Sequence, residues 1–248
     1  MLPESYFLVG DVTHPGPFLV TCEHATNQLP NSIHIDDHES HLLTTHRGWD
    51  IGARDVATEI IRMSQSVGIF SNFSRLYCDP NRAINDPSWI PVVVDGHPVS
   101  FNQNLTPSEL EYRLQTFHNP YHEAIERTIE MRKNNPTPFW LLSVHSYTPK
   151  LGDNIRTMEA GVLFDKHVLA AHQLRDSLCQ RGLDCALNEP YSGQEGLIYS
   201  ARLHGKAHDL LFLELELRQD LIDTQEKARQ VAHDVVHALN SIPHSLHG

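Results

Sequence analysis

The sequence predicts an α/β fold in which a central sheet is covered by helices on both faces. Three observations lead there. Apolar runs of strand type alternate with amphipathic helical stretches along the chain. Two of those runs, "FLVTC" (18–22) and "PFWLLSVHS" (138–146), are apolar at almost every position, as strands buried on both faces are. No repeat, low-complexity tract or long linker breaks the alternation, so a single domain over residues 1–248 is expected.

Taken in order, Tyr6 to Val9 and Phe18 to Cys22 read as strands. Residues 49–66 read as a helix, with Ile51, Val56, Ile60 and Met63 close to one stripe. Short strands are predicted at Ile69–Asn72 and Ser74–Tyr77. The Pro- and Asn-rich stretch 83–106 carries little helical pattern, and such an excursion from a core is more often an active-site loop than a linker. Residues 106–134 form the clearest helical region, opened by Thr106 as cap and Pro107 at the first helical position. Pro120 should kink or split it. The run 138–146, "AGVLF" (160–164), a helix from His167 to Arg181, "DCALN" (184–188) and "DLLFLELELR" (209–218) continue the alternation, and a helix over Thr224–Leu239 closes it.

Composition narrows the function. Hydrophobic residues at 40% and charged residues at 20% are ordinary for a globular protein. A net charge of −12 speaks against a nucleic-acid surface, which shows a basic patch, but leaves room for local arginines that bind an acidic small molecule. No apolar run approaches the ~18 residues of a membrane span, and Met1–Ser5 lacks the basic and apolar regions of a signal peptide. Cys22, Cys78, Cys179 and Cys185 show no CxxC spacing and read as reduced, mostly buried thiols of a cytoplasmic protein. Of 18 histidines, His34, His38, His41 and His46 lie in or beside a polar helical stretch and His244 and His247 in the tail, so these read as bland.

The chemistry gathers at strand ends. "FLVTCEHATNQLP" (18–30) runs out of a strand into Glu23 and His24, and "FWLLSVHSYTP" repeats that grammar at His145. Strand ends of α/β sheets are where ligands bind. Asp50, at the predicted start of the 49–66 helix, is a third candidate, although an acidic residue there also complements the helix dipole. Three N/O ligands with an open fourth position are what a catalytic zinc needs, and His24, Asp50 and His145 would supply them. Glu23 competes as the carboxylate ligand. Adjacent strand residues point opposite ways, so Glu23 and His24 can share one ion only if the strand has already ended.

The late strand carries a second pattern. Alternation places Glu214, Glu216, Arg218 and Asp220 on one face and Leu213, Leu215 and Leu217 on the other. Charges on a strand covered on both sides need a partner or a purpose. Glu216 is the candidate general base, and Arg218 could grip a substrate carboxylate with two hydrogen bonds. In "SRLYCDPNRAINDP", Arg75, Asn81 and Arg82 offer further anion-binding groups; the bland reading is an Asp79–Arg82 ion pair in a turn.

Taken together, "CEHATNQLP", "HRGWDIGARDVA", "SRLYCDPNRA", "FWLLSVHSYTP", "NEPYSG" and "LELRQDL", in this order over nearly the whole chain, resemble the N-formylglutamate amidohydrolases. Each motif alone is weak; the ordered set is specific. The resemblance implies a three-layer α/β/α sandwich with a mostly parallel or mixed sheet, one zinc ion, and hydrolysis of the amide of an N-acyl amino acid such as N-formyl-L-glutamate. By it, His24 and His145 fall on ligand positions, Asp50 on the carboxylate ligand and Glu216 on the general base. Arg82 and Arg218 fall on substrate-carboxylate positions, and Tyr191 of "NEPYSG" joins Arg75 and Asn81 as a substrate residue. "CEHA" stands where better-known members tend to have a "PHSG"-like segment, which bears on the acyl group and amino acid more than on the reaction. Rival readings are a metallo-amidohydrolase or peptidase for another N-acyl amino acid or peptide, and a metal-binding homologue without turnover.

Overall fold

A seven-stranded sheet forms the middle layer of the computed structural model, which describes residues 4–13, 16–134 and 137–242. His244 and His247 lie outside the described residues. The strands of the sheet are β1 (Tyr6–Gly10), β2 (Phe18–Cys22), β3 (Val67–Ser71), β6 (Trp140–Tyr147), β9 (Ala160–Leu163), β10 (Cys185–Leu187) and β11 (Phe212–Arg218). Two small hairpins, β4 (Val93–Val94) with β5 (His97–Pro98) and β7 (Lys150–Leu151) with β8 (Asn154–Ile155), complete the numbering. The order across the sheet is β1-β3-β2-β6-β11-β9-β10. β3, β2, β6 and β11 run parallel; β1 at one edge and the β9–β10 pair at the other run against them.

Helices cover both faces. On one side α2 (Ala53–Ser64), α5 (Val168–Gln180) and α7 (Gln225–Asn240) pack Val56, Ile60, Leu174 and Val235 against Val20, Leu142, Val144, Leu213 and Leu215. On the other, α4 (Asn119–Lys133) and α6 (Tyr199–Ala207) set Tyr121, Ile125 and Ala201 against Leu19, Ile69, Leu141 and Phe212. The arrangement is the three-layer α/β/α sandwich. Alternation along β11 therefore sends Leu213, Leu215 and Leu217 into the α2–α5–α7 core, while Glu214 and Glu216 face the opposite side. Among the described residues no helix is long and apolar enough to cross a membrane.

Four elements differ from the sequence reading. The helix predicted from residue 49 begins at Ala53, because Gly52 has φ +81° and a Cβ there would lie 2.2 Å from the Ile222 carbonyl oxygen. Asp50 thus sits before the helix, its backbone N–H donating to the His24 carbonyl at 2.9 Å. Ser74–Tyr77 is a turn rather than a strand, pinned by Ser74 Oγ donating to the Gly48 carbonyl at 2.8 Å. The 106–134 region is continuous: α3 (Pro107–Arg113) passes through a π-helical turn at Leu114–His118 into α4, where Pro120 lies in the first turn. The wider turn accommodates the proline without splitting the helix. Last, α6 was not foreseen; Gly205 lets it approach β11 so closely that a Cβ would meet the Phe212 ring at 2.2 Å. All four cysteines are free, with Cys22 and Cys78 buried but Cys179 exposed.

Candidate active site

Parallel strands β2 and β6 end side by side, and their ends carry the two histidines. β2 stops at Cys22, so Glu23 and His24 lie in the turn beyond it and are freed from strict alternation. His24 Nδ1, His145 Nδ1 and Asp50 Oδ2 form a buried triangle with edges of 3.1, 2.8 and 3.4 Å. Tetrahedral ligands about 2.0–2.1 Å from zinc stand roughly 3.3 Å apart, so the three atoms fit one divalent ion. Among the described residues this is the one group of three that brings donor atoms together in this way.

Each corner is fixed from behind. His24 Nε2–H donates to Asp79 Oδ1 at 2.7 Å and His145 Nε2–H to Glu23 Oε2 at 3.0 Å. A carboxylate only accepts, so these bonds set the tautomers and turn the Nδ1 lone pairs toward each other. With both rings neutral, as metal ligation requires, the two lone pairs at 3.1 Å repel and a cation between them relieves that repulsion; a proton on His145, donated to Asp50 Oδ2 at 2.8 Å, relieves it in the same way. Asp50 Oδ1 is bound by Arg75 Nη2, and Asp50 Oδ2 also accepts the Ser146 backbone N–H at 3.2 Å. Glu23 therefore stands behind His145, accepting also from Tyr121 Oη (3.0 Å) and Ser143 Oγ (2.6 Å), rather than at the triangle where it was weighed as an alternative ligand. Asp79, which the bland reading of the turn pairs with Arg82, is hydrogen-bonded to His24 and orients it.

Electrostatics follow from this packing. Burial pushes the His24 imidazole down to about 3, with Arg75 adding to the effect. Burial would raise Asp79 and Glu23, but His24 holds the former and His145 the latter well below the usual carboxylate range. Burial likewise opposes a charge on His145, yet Glu214 and Glu23 raise it to about 10. Asp50 within the triangle and four more buried carboxylates around it (Glu23, Asp79, Glu214 and Glu216) thus favour a positive charge there.

β11 brings in the glutamates. Glu216 is paired in register with His145 and Glu214 with Ser143, one step deeper. Both are buried, and the Oε2 of each has no hydrogen-bond partner. Burial and mutual repulsion raise the Glu216 carboxyl, and burial and Glu23 raise Glu214. Both line a cavity of about 510 Å³ together with His24, Asp50, His145, Arg75, Asn81, Arg82 and Tyr191.

The arginines divide. Arg82 lines the cavity, with Nη1 donating to the Asn81 carbonyl at 2.8 Å and Nε to Ser88 Oγ at 3.2 Å. Arg75 is committed at Nη2 to Asp50, while its Nε is buried without a partner. Arg218 does not reach the cavity. Its guanidinium binds Asp220 at 2.8 Å and the Thr157 carbonyl at 2.5 Å, because the chain turns at the end of β11 and takes the side chain with it. Asn81 is buried, its Oδ1 accepting the Ser200 backbone N–H at 2.9 Å, so it braces the loop against α6. Tyr191 lines the cavity with its Oη 3.4 Å from Arg156. His46, read as bland, also lines it.

The N-formylglutamate amidohydrolase family model matches residues 16–223. The chain belongs to this family. Its members give the site a reaction class, hydrolysis of an amide. No curated protein sequence matches the chain. Among solved structures, the gene product Atu2144 from Agrobacterium tumefaciens is similar at 25% identity and a TM-score of 0.89, covering 96% of this chain and 94% of that one. An N-formylglutamate amidohydrolase from Ralstonia eutropha JMP134 shares the fold at 17% identity and a TM-score of 0.74, with 96% and 97% covered.

Proposed function

We propose that the protein is a zinc-dependent amidohydrolase that cleaves the amide of an N-acyl amino acid, with N-formyl-L-glutamate giving formate and glutamate as the reference reaction. One observation carries the reading: three buried donor atoms converge on a point, each locked by an outer partner, beside the unpartnered carboxylate of Glu216. His24 Nδ1, His145 Nδ1 and Asp50 Oδ2 would hold the zinc ion, which would supply Lewis-acid chemistry for the scissile carbonyl and for water near neutral pH.

The chain's own groups do the rest. Glu216 accepts a proton from the attacking water and delivers it to the leaving nitrogen, so one carboxylate acts first as base and then as acid. Its raised pKa suits both steps. Arg82, on the cavity wall, holds the substrate carboxylate through its planar fork. Tyr191 and Arg75 border the same space, and Arg75 also offsets the charge of Asp50. The test is release of glutamate and formate from N-formylglutamate, with and without chelator. Hydrolysis that stops on chelation and returns with zinc supports the proposal. Full activity after complete removal of the metal contradicts its metal dependence, and no hydrolysis of any N-formyl or N-acyl amino acid contradicts the reaction.

A further inference from the structure

The candidate metal triangle and the arginines occupy only part of the cavity. Part of the remaining lining is apolar, with Leu76, Pro91, Val93, Val94, Leu151 and Leu197 set among polar groups such as Ser88, Asp95 and Thr148. Val93 and Val94 form β4 and Leu151 belongs to β7, so both small hairpins contribute apolar side chains to the cavity lining. Val93 is 54% and Leu151 38% exposed, and each borders the same open cavity. Asp95, at the turn of the first hairpin, is bound by Arg47, which ties that hairpin to the segment leading to Asp50.

A cavity near 510 Å³ is of the size that encloses a drug-sized ligand. N-formylglutamate is smaller than that, and has only two methylenes, next to a carboxylate, to place against valine and leucine. Exposed apolar side chains that line a site mark a surface that gains by being covered. We propose that the apolar lining supplied by the β4–β5 and β7–β8 hairpins is a substrate subsite, and that it takes an apolar group several carbons long attached to the N-acyl amino acid. The preferred substrate is then larger and more apolar than N-formylglutamate. This rests on the reading of the protein as an N-acyl amino acid hydrolase, and it adds the chemistry of the second group.

The apolar group can sit on the acyl or the amino-acid side of the amide, and two probes distinguish these. N-hexanoyl-L-glutamate extends the acyl side, and N-formyl-L-leucine places an apolar group on the amine side. The expected result is that one of them exceeds N-formylglutamate by about tenfold or more in kcat/KM, since each well-buried CH₂ contributes roughly fourfold. Val93→Asp and Leu151→Asp should lower the ratio of that probe to N-formylglutamate by a similar factor. Both residues are exposed on hairpins, so neither change empties the core. If N-formylglutamate is hydrolysed, and neither probe improves on it or the ratio survives both substitutions, the subsite is wrong while the function stands. If no compound is hydrolysed, the function fails. Calorimetric binding of N-hexanoylglutamate and N-formyl-leucine against N-formylglutamate then decides the subsite alone: tighter binding of either probe that Leu151→Asp removes upholds it, and equal affinities overturn it.

Discussion

Asp79→Ala tests whether the outer partners shape the metal centre. In the parent, Asp79 Oδ1 accepts both His24 Nε2–H (2.7 Å) and the Asn81 backbone N–H (2.8 Å) in a buried setting. Alanine leaves the ring N–H unpaired, which costs about 1–3 kcal/mol, and frees the imidazole to rotate or change tautomer. Loss of an outer carboxylate typically weakens metal binding by about 10–100-fold, equivalent to about 1.4–2.7 kcal/mol. Asp79→Asn can still present an oxygen acceptor while losing the charge, so its loss should lie at the low end of that range. Competition titration against a chromophoric zinc chelator reads both variants directly. Far-ultraviolet circular dichroism and thermal melting of the metal-free proteins check that the fold persists. Parent-like zinc affinity in Asp79→Ala would refute the role assigned to this carboxylate.

Three further outcomes follow from the same geometry. Glu216→Gln should retain zinc while kcat falls by about 10²-fold or more, and Glu214→Gln, one register step deeper, should be milder in steady-state assays; the reverse ranking means the base is misassigned. Arg82→Ala should raise KM for N-formylglutamate, by up to about 3 kcal/mol in kcat/KM, whereas Arg218→Ala, tied to Asp220, should leave KM near the parent and cost at most about 1 kcal/mol of stability. In metal-free protein, burial and Glu214 hold the Glu216 carboxyl above the usual carboxylate range, so folding must resist its ionisation: stability falls as pH rises from the usual carboxylate range toward neutrality. Glu216→Gln removes its share of that slope while Glu214 keeps its own, so in melts from pH 4.5 to 8 the variant should gain stability relative to the parent as pH rises; a constant difference across the range contradicts the buried carboxyl.

Local pattern made much of the fold and part of the site legible. Consecutive apolar residues in 18–22 and 140–144 announced β2 and β6, because a strand covered on both sides has no solvent face to mark. The period of two in "LELELR" separated the leucines that enter the core from the glutamates that enter the cavity. What stayed hidden depends on contacts remote in sequence. Nothing in "CDPN" tells that Asp79 meets His24, 55 positions away, rather than Arg82 nearby. Glu23 could be weighed as a ligand because its neighbour is His24; only the packing of Tyr121 and Ser143 around it turns it toward the far nitrogen of His145. Arg218 follows the alternation of β11 as written, yet the turn after the strand gives its guanidinium Asp220 and Thr157. The helix α6 has a short and weak apolar stripe, and its place depends on the absence of a side chain at Gly205.

Three donor atoms from three segments of chain converge at the candidate metal site. Metal analysis of the purified protein after dialysis, beside His145→Ala and Asp50→Asn, tests it most directly. One zinc per chain is predicted for the parent. His145→Ala should lose nearly all of it, and Asp50→Asn should bind more weakly because an amide lacks the charge that holds a dication. Full occupancy in both variants would contradict the triangle of His24, Asp50 and His145 as the metal site.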